Sequence, residues 1–243
     1  MNKSSNQIIP FFNAANDIMQ PIRLHCKILK LKDFETKINR IKCIDFNPEY
    51  KLFHWCYSNE MLNTSYKIKQ KTTNNELWIL GKIQVENNSV LISINSIERA
   101  ILALKFFNSK IDKSILIFET MDFYNKLLEM SETNKNFYSP IELFFVNKHI
   151  ICDNSTSIIV DEIINYNQKK GNKQKLLEQL YNKMITEQLP EYENFPIYFY
   201  EDIIENIESR LFMKQKLAYE HLNGNIKMTM FELIQKLIVE NTK

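Results

Sequence analysis

Apolar and polar residues alternate along IRLHCKIL (22–29), placing Ile22, Leu24, Cys26 and Ile28 on one face, the pattern of a half-buried strand. DFETKINRI follows with Phe34, Ile38 and Ile41 at helical spacing. YKLFHWCY (50–57) returns to alternation, with Phe53, Trp55 and Tyr57 set against Leu52, His54 and Cys56. LWILGKIQV (77–85) and SVLISI (89–94), separated by Glu86-Asn87-Asn88, read as a β-hairpin, because asparagine tolerates the positive φ of a tight turn. Asn95 with Glu98 three residues on resembles a capping box opening a helix over 96–108. Its apolar stripe is Ile97, Ala100, Ile101, Leu104 and Phe107. SILIF (114–118) supplies a further strand. Residues 1–9 and 58–75 are polar and aperiodic, and Phe11 and Phe12 predict a short helix or a docking strap.

From about residue 121 the period becomes helical. Within 172–188, Leu176, Leu180 and Met184 form one row, with Leu177, Tyr181 and Ile185 beside it. Two more amphipathic helices are predicted over 201–220 and 229–241, with Asn223-Gly224 as a stop and Thr229/Glu232 as a capping box. The expectation is an α+β fold: a mixed or antiparallel N-terminal sheet with helices on one face, then a helical C-terminal half. The element order approximates a ferredoxin-like plan with an added strand. The chain divides into a segment 1–21, an α+β domain 22–120, and a helical region 121–243 that packs on it or forms a second core.

Composition narrows the function classes. At 243 residues with 44% hydrophobic and 25% charged residues, the chain can bury a full core. The net charge of +2, split about +5 and −3 between residues 1–150 and 151–243, does not suit a duplex-DNA binder. The start, MNKSSNQIIPFFNAAND, has no secretory h-region, and no run approaches the ~18 apolar residues of a membrane span. A soluble, intracellular protein is expected. The four cysteines form no CxxC and no disulfide framework, and are expected to be reduced thiols.

Three isolated glycines cannot build a phosphate-cradling loop, and GxSxG and HExxH are missing. His25-Cys26, His54-x-Cys56 and His149-x-x-Cys152 are the metal or nucleophile candidates. Only His54 and Cys56 share a strand face, and buried cysteine more often packs than ligates. No catalytic residue, metal ligand or cofactor is therefore assigned. Glu201, Asp202, Glu205 and Glu208 are a candidate carboxylate site, but a solvated first helical turn explains Glu201 and Asp202 equally well. Arg99, in the first turn of its helix, is a candidate anion contact.

The most distinctive stretch is EYENFPIYFYEDIIE (191–205), where seven acidic residues and no basic one fall between Lys183 and Arg210. Tyr192, Phe195, Tyr198, Phe199, Tyr200, Glu201 and Asp202 make it a candidate partner surface, against the simpler reading of a strap laid over the core. Two stretches, 77–107 with Arg99, Ala100, Phe106 and Phe107, and 189–225 with Pro196, Phe199, Tyr200, Glu201 and His221, carry a resemblance. They resemble conserved proteins of cyanobacteria and of red-algal-type plastid genomes. That resemblance implies a plastid stroma or cytoplasm and transfers no activity. It fits an AT-rich coding bias, seen in 27 lysines against four arginines.

The leading expectation is a non-enzymatic accessory or assembly factor that works through protein contacts. An RNA-binding protein using strand aromatics Phe53, Trp55, Tyr57 and Trp78 is the alternative. An enzyme with a site outside known motifs, built on carboxylates or on His54 and Cys56, is the third class.

Overall fold

The computed structural model describes residues 9–13, 15–57, 78–128, 140–152, 188–197 and 203–241, with residues 178, 182 and 186. The alternation at 22–28 becomes strand β1 (Ile22–Ile28), whose Ile22, Leu24, Cys26 and Ile28 are buried while Arg23, His25 and Lys27 face the other way. Helix α1 (Leu31–Ile38) then buries Phe34 and Ile38. Strands β2 (Ile44–Asn47) and β3 (Leu52–Cys56) pair next, followed by the hairpin β4 (Ile79–Glu86) and β5 (Ser89–Ile94). Asn87 sits at φ 51° in the hairpin turn, as its side chain permits. Helix α2 (Ile97–Lys110), β6 (Leu116–Tyr124), a 3-10 turn (Ile141–Leu143), β7 (Ile151–Cys152), β8 (Tyr192–Pro196), α3 (Ile203–Leu222) and α4 (Met230–Asn241) complete the described elements.

The strands form one sheet in the order β2-β3-β4-β5-β1-β6-β8-β7, antiparallel except between β7 and β8. β1 lies between β5 and β6, so α2 crosses over it to join two strands that run parallel to each other. The inner strands β4-β5-β1-β6, with α1 and α2, have the order and directions of the ferredoxin-like plan. The hairpin β2–β3 is inserted before β4, and β8 and β7 extend the far edge.

The fold departs from the sequence pattern at β6 and at the start of α2. The sequence pattern places the start of a helical region at 121, yet β6 runs to Tyr124 and β8 lies in that region. The reason is a bulge: His25 pairs with Thr120 and Cys26 with Phe118, which leaves Glu119 without an opposite residue on β1. The bulge shifts the phase, so Leu116 and Phe118 point inward before it, and Met121 and Phe123 after it. Next, the cap of α2 is Ser96, whose Oγ accepts from the Arg99 amide at 3.3 Å, not Asn95. Of the two forms expected around Phe11 and Phe12 the strap is the one formed: Phe12 bridges Ile18, and the Phe11 amide is tied to the Leu128 carbonyl at 2.9 Å. The helix expected over 172–188 and the loop expected over 58–75 fall almost wholly outside the described residues.

The C-terminal caps are as the sequence predicts. Thr229 N–H donates to Glu232 Oε2 at 2.8 Å and the Glu232 amide donates to Thr229 Oγ1 at 3.3 Å, a reciprocal capping box. Gly224, at φ 98°, ends α3, with amide bonds from Gly224 to the His221 carbonyl and from Asn225 to the Glu220 carbonyl. That is the Schellman pattern, which needs a left-handed residue at this position.

One continuous core contains the inward residues of β1, β5, β6 and β8 together with Phe34 and Ile38 of α1, the α2 stripe, and Ile207 and Leu211 of α3. The helices α1, α2 and α3 therefore share one face of the sheet. At the β3–β4 pair, Trp55 lies opposite Gly81. A Cβ at 81 would sit 3.1 Å from the Ser93 carbonyl oxygen, so a larger residue there would press on the neighbouring strand, and glycine suits the close approach. Charge enters the core once at this end of the sheet: Glu193 of β8 faces inward and pairs with Lys214 of α3 at 2.5 Å. Asn125 donates to the same carboxylate at 2.8 Å, so the pair is both matched and hydrogen-bonded.

Candidate protein-interaction site

The face of the sheet away from these helices is where polar side chains collect. Strand alternation puts Arg23 and His25 of β1, Asp122 of β6 and Asn194 of β8 side by side. Asp122 is only 2% exposed, and four donors converge on it. His25 Nε2 donates to Oδ2 at 2.6 Å, Arg23 Nε and Nη2 reach Oδ2 at 2.8 and 2.7 Å, and Asn194 Nδ2 donates to Oδ1 at 2.7 Å. Burial works against the Asp122 carboxylate, but the hydrogen bonds from His25 and Asn194 and the charges of His25 and Arg23 outweigh it. Its pKa is held below the ordinary carboxylate value.

Arg23 connects this network to an aromatic cluster, since its guanidinium lies 5.2 Å from the Phe145 ring centre. Phe145 follows the 3-10 turn, where successive i→i+3 bonds link Pro140 to Leu143, Ile141 to Phe144, and Leu143 to Val146. This turn packs Phe145 against the sheet and leaves Leu143 and Val146, three residues apart, on its outer side at 54% and 47% exposure. Asn147 closes it at φ 61°.

Tyr124 at the end of β6 and Tyr192 at the start of β8 are directly paired across the sheet, with ring centres 5.2 Å apart. Phe144 meets Tyr124 edge-on at 5.1 Å and lies 6.1 Å from Tyr192. These rings wall an open cavity of about 680 Å³, completed by Leu127, Ala218, His221, Leu222 and Ile226. Ile226, also in the lining, is 71% exposed.

The rim is charged. Lys126 pairs with Glu191 at 2.6 Å, and Lys148 lies over the Tyr192 ring at 5.4 Å. His221 Nε2 donates to the Met228 carbonyl at 2.7 Å and so fixes the loop carrying Ile226. Burial, then the charge and hydrogen bond of Glu191, push the Tyr192 phenol up to about 12, so it is a neutral wall of the groove at any physiological pH. Among the described residues the lining holds aromatic walls, exposed aliphatic lips and a charged rim.

The residues singled out from the sequence are scattered. Tyr192 lines this groove. Phe195, on the same strand but the other face, is 1% exposed in the core beneath Arg210, which removes it from the partner surface. Tyr198, Phe199, Tyr200, Glu201 and Asp202 lie outside the described residues. The acidic pair that remains is divided: Glu205 is exposed and Glu208 meets Lys105 of α2 at 3.4 Å.

Arg99 is buried, and the anion it approaches is Asp17 of the strap, at 3.8 Å, while its Nη1 donates to the Ile79 carbonyl at 3.1 Å. Cys56 contacts the His54 carbonyl rather than its imidazole, at 3.7 Å. Burial, then Asp45 and Cys43, raise its thiol to about 11, opposite to what a nucleophile or metal ligand needs. Among the described residues no three His, Cys, Asp or Glu side chains are grouped to hold a metal. Trp55 is fully buried between Phe106 and Phe107, at 5.6 and 5.4 Å, and cannot stack on a base. Tyr124, Phe144 and Lys148 were missed. The one local signal for Tyr124 was the alternation Thr120-Met121-Asp122-Phe123-Tyr124, which the bulge separates from the strand before it; Phe144 and Lys148 follow a 3-10 turn and carried none.

No helix among the described residues is long and apolar enough to cross a membrane. No protein-family model, curated protein or solved structure matches this chain.

Proposed function

We propose that this protein is an accessory or assembly factor that acts by holding a partner protein, with the aromatic groove between β6, β8 and the end of α3 as its contact site. One observation carries the reading. Tyr124, Phe144 and Tyr192 wall an open cavity of about 680 Å³ whose lips, Leu143, Val146 and Ile226, are exposed apolar side chains. Clustered apolar exposure framed by charge is the usual anatomy of a protein-binding patch, whereas scattered exposed aliphatics are unremarkable. Its place is a plastid stroma or a cytoplasm, as the resemblance implies.

The RNA reading has less support, because one of its four rings, Trp55, is buried, and two of the outer-face cations, Arg23 and Lys82, are each paired with an acid. The test is affinity purification of the tagged protein from its native cells, wild type against Val146→Asp. The substitution adds charge at an exposed lip and leaves the core untouched. Partners retained by wild type should fall to background in the variant while its thermal midpoint is unchanged. Equal recovery of the same partners by both would remove the groove from the account.

A further inference from the structure

We infer that the groove takes an acidic peptide segment of a partner protein, one that presents a large apolar or aromatic side chain next to an aspartate or glutamate. The inference rests on the reading of the groove as a protein contact. What selects the occupant is the charge of the rim.

Among the described lining residues the rim carries two lysines, Lys126 and Lys148, and one acid, Glu191. Glu191 is already taken by Lys126 at 2.6 Å. Lys148 has no carboxylate partner among the described residues, and its ammonium rests on the face of Tyr192 at 5.4 Å. A lysine held by a ring alone keeps most of its capacity to pair with an incoming anion, and a neighbouring ring gives that anion's apolar neighbour a surface to cover. Leu143, Val146 and Ile226 line the same opening as Lys148. A side chain covering these apolar residues would bring its chain neighbours to the rim that carries Lys148. Basic or neutral segments would leave Lys148 unpaired, and basic ones would be repelled by it.

The experiment is selection of a displayed random-peptide library against the full chain, followed by binding of the enriched peptides to wild type, Lys148→Glu and Val146→Asp. Both substituted positions are exposed, so both variants are expected to fold, which circular dichroism checks. Enriched peptides should combine an aromatic or large aliphatic residue with a nearby Asp or Glu. Their affinity should fall about tenfold in Lys148→Glu and weaken as salt rises. Peptides that lack acidic residues yet lose binding in Val146→Asp would overturn the acidic assignment and leave the groove as a contact site. No peptide sensitive to Val146→Asp would overturn both. A wild-type chain that sediments as a dimer and becomes monomeric in Val146→Asp would assign the groove to a second copy and overturn the inference.

Discussion

At the scale of single residues, the junction between sheet and groove is Asp122. Arg23 bonds to it and lies over Phe145, so the carboxylate's charge fixes a ring that backs the groove. Because the folded protein holds its pKa below the ordinary value, the unfolded chain takes up a proton first as pH falls. The stability it contributes is therefore present above about pH 4, the usual aspartate range, and is lost as pH falls through the lower folded value. Asp122→Asn should be less stable than wild type at neutral pH and should show a flatter decline below about pH 4 in urea titrations. Parallel acid limbs for the two proteins would contradict the role given to this carboxylate.

At the scale of elements, local patterning succeeded where burial follows alternation or a helical stripe. β1, the β4–β5 hairpin, α2, α3 and α4 were legible for that reason, and the Thr229/Glu232 box and Gly224 mark their ends as expected. β2 was not legible, because Ile44–Asn47 contains one half-buried apolar residue and owes its strand form to pairing with β3. β8 was not legible as a strand because one of its inward positions is Glu193, a residue that reads as solvent-facing. What permits it there is Lys214 on α3, a partner 21 residues away that no local pattern reveals. Breaking that pair leaves a buried carboxylate with only Asn125 and the more distant Arg210, 3.8 Å away. Lys214→Met should cost roughly 3 kcal/mol by urea unfolding, near the low end for an orphaned buried charge because those two neighbours remain. A loss below about 1 kcal/mol would mean that the pair does not hold α3 to the sheet.

At the scale of the whole molecule, the α+β class was readable, but the division near residue 121 was not. β6 crosses that point, and Phe195, Ile207 and Leu211 enter the same core as β1 and α2. The groove belongs to this scale as well. Its walls come from the end of β6, the turn after Ile141, the start of β8 and the end of α3, so sequence reading found Tyr192 and none of the other rings. The same sheet explains both its faces: one buries the helices, and the other carries the Asp122 network that seats Phe145.

The central claim is that a partner protein occupies this groove. The most direct measurement is photo-cross-linking in native cells with a benzophenone amino acid placed at Val146, and at the exposed Glu119 in the β6 bulge as a control. The account predicts a discrete adduct from position 146, absent from 119 and competed by untagged wild-type protein. Equal adducts from both positions, or none from 146 while partners still co-purify, would contradict it.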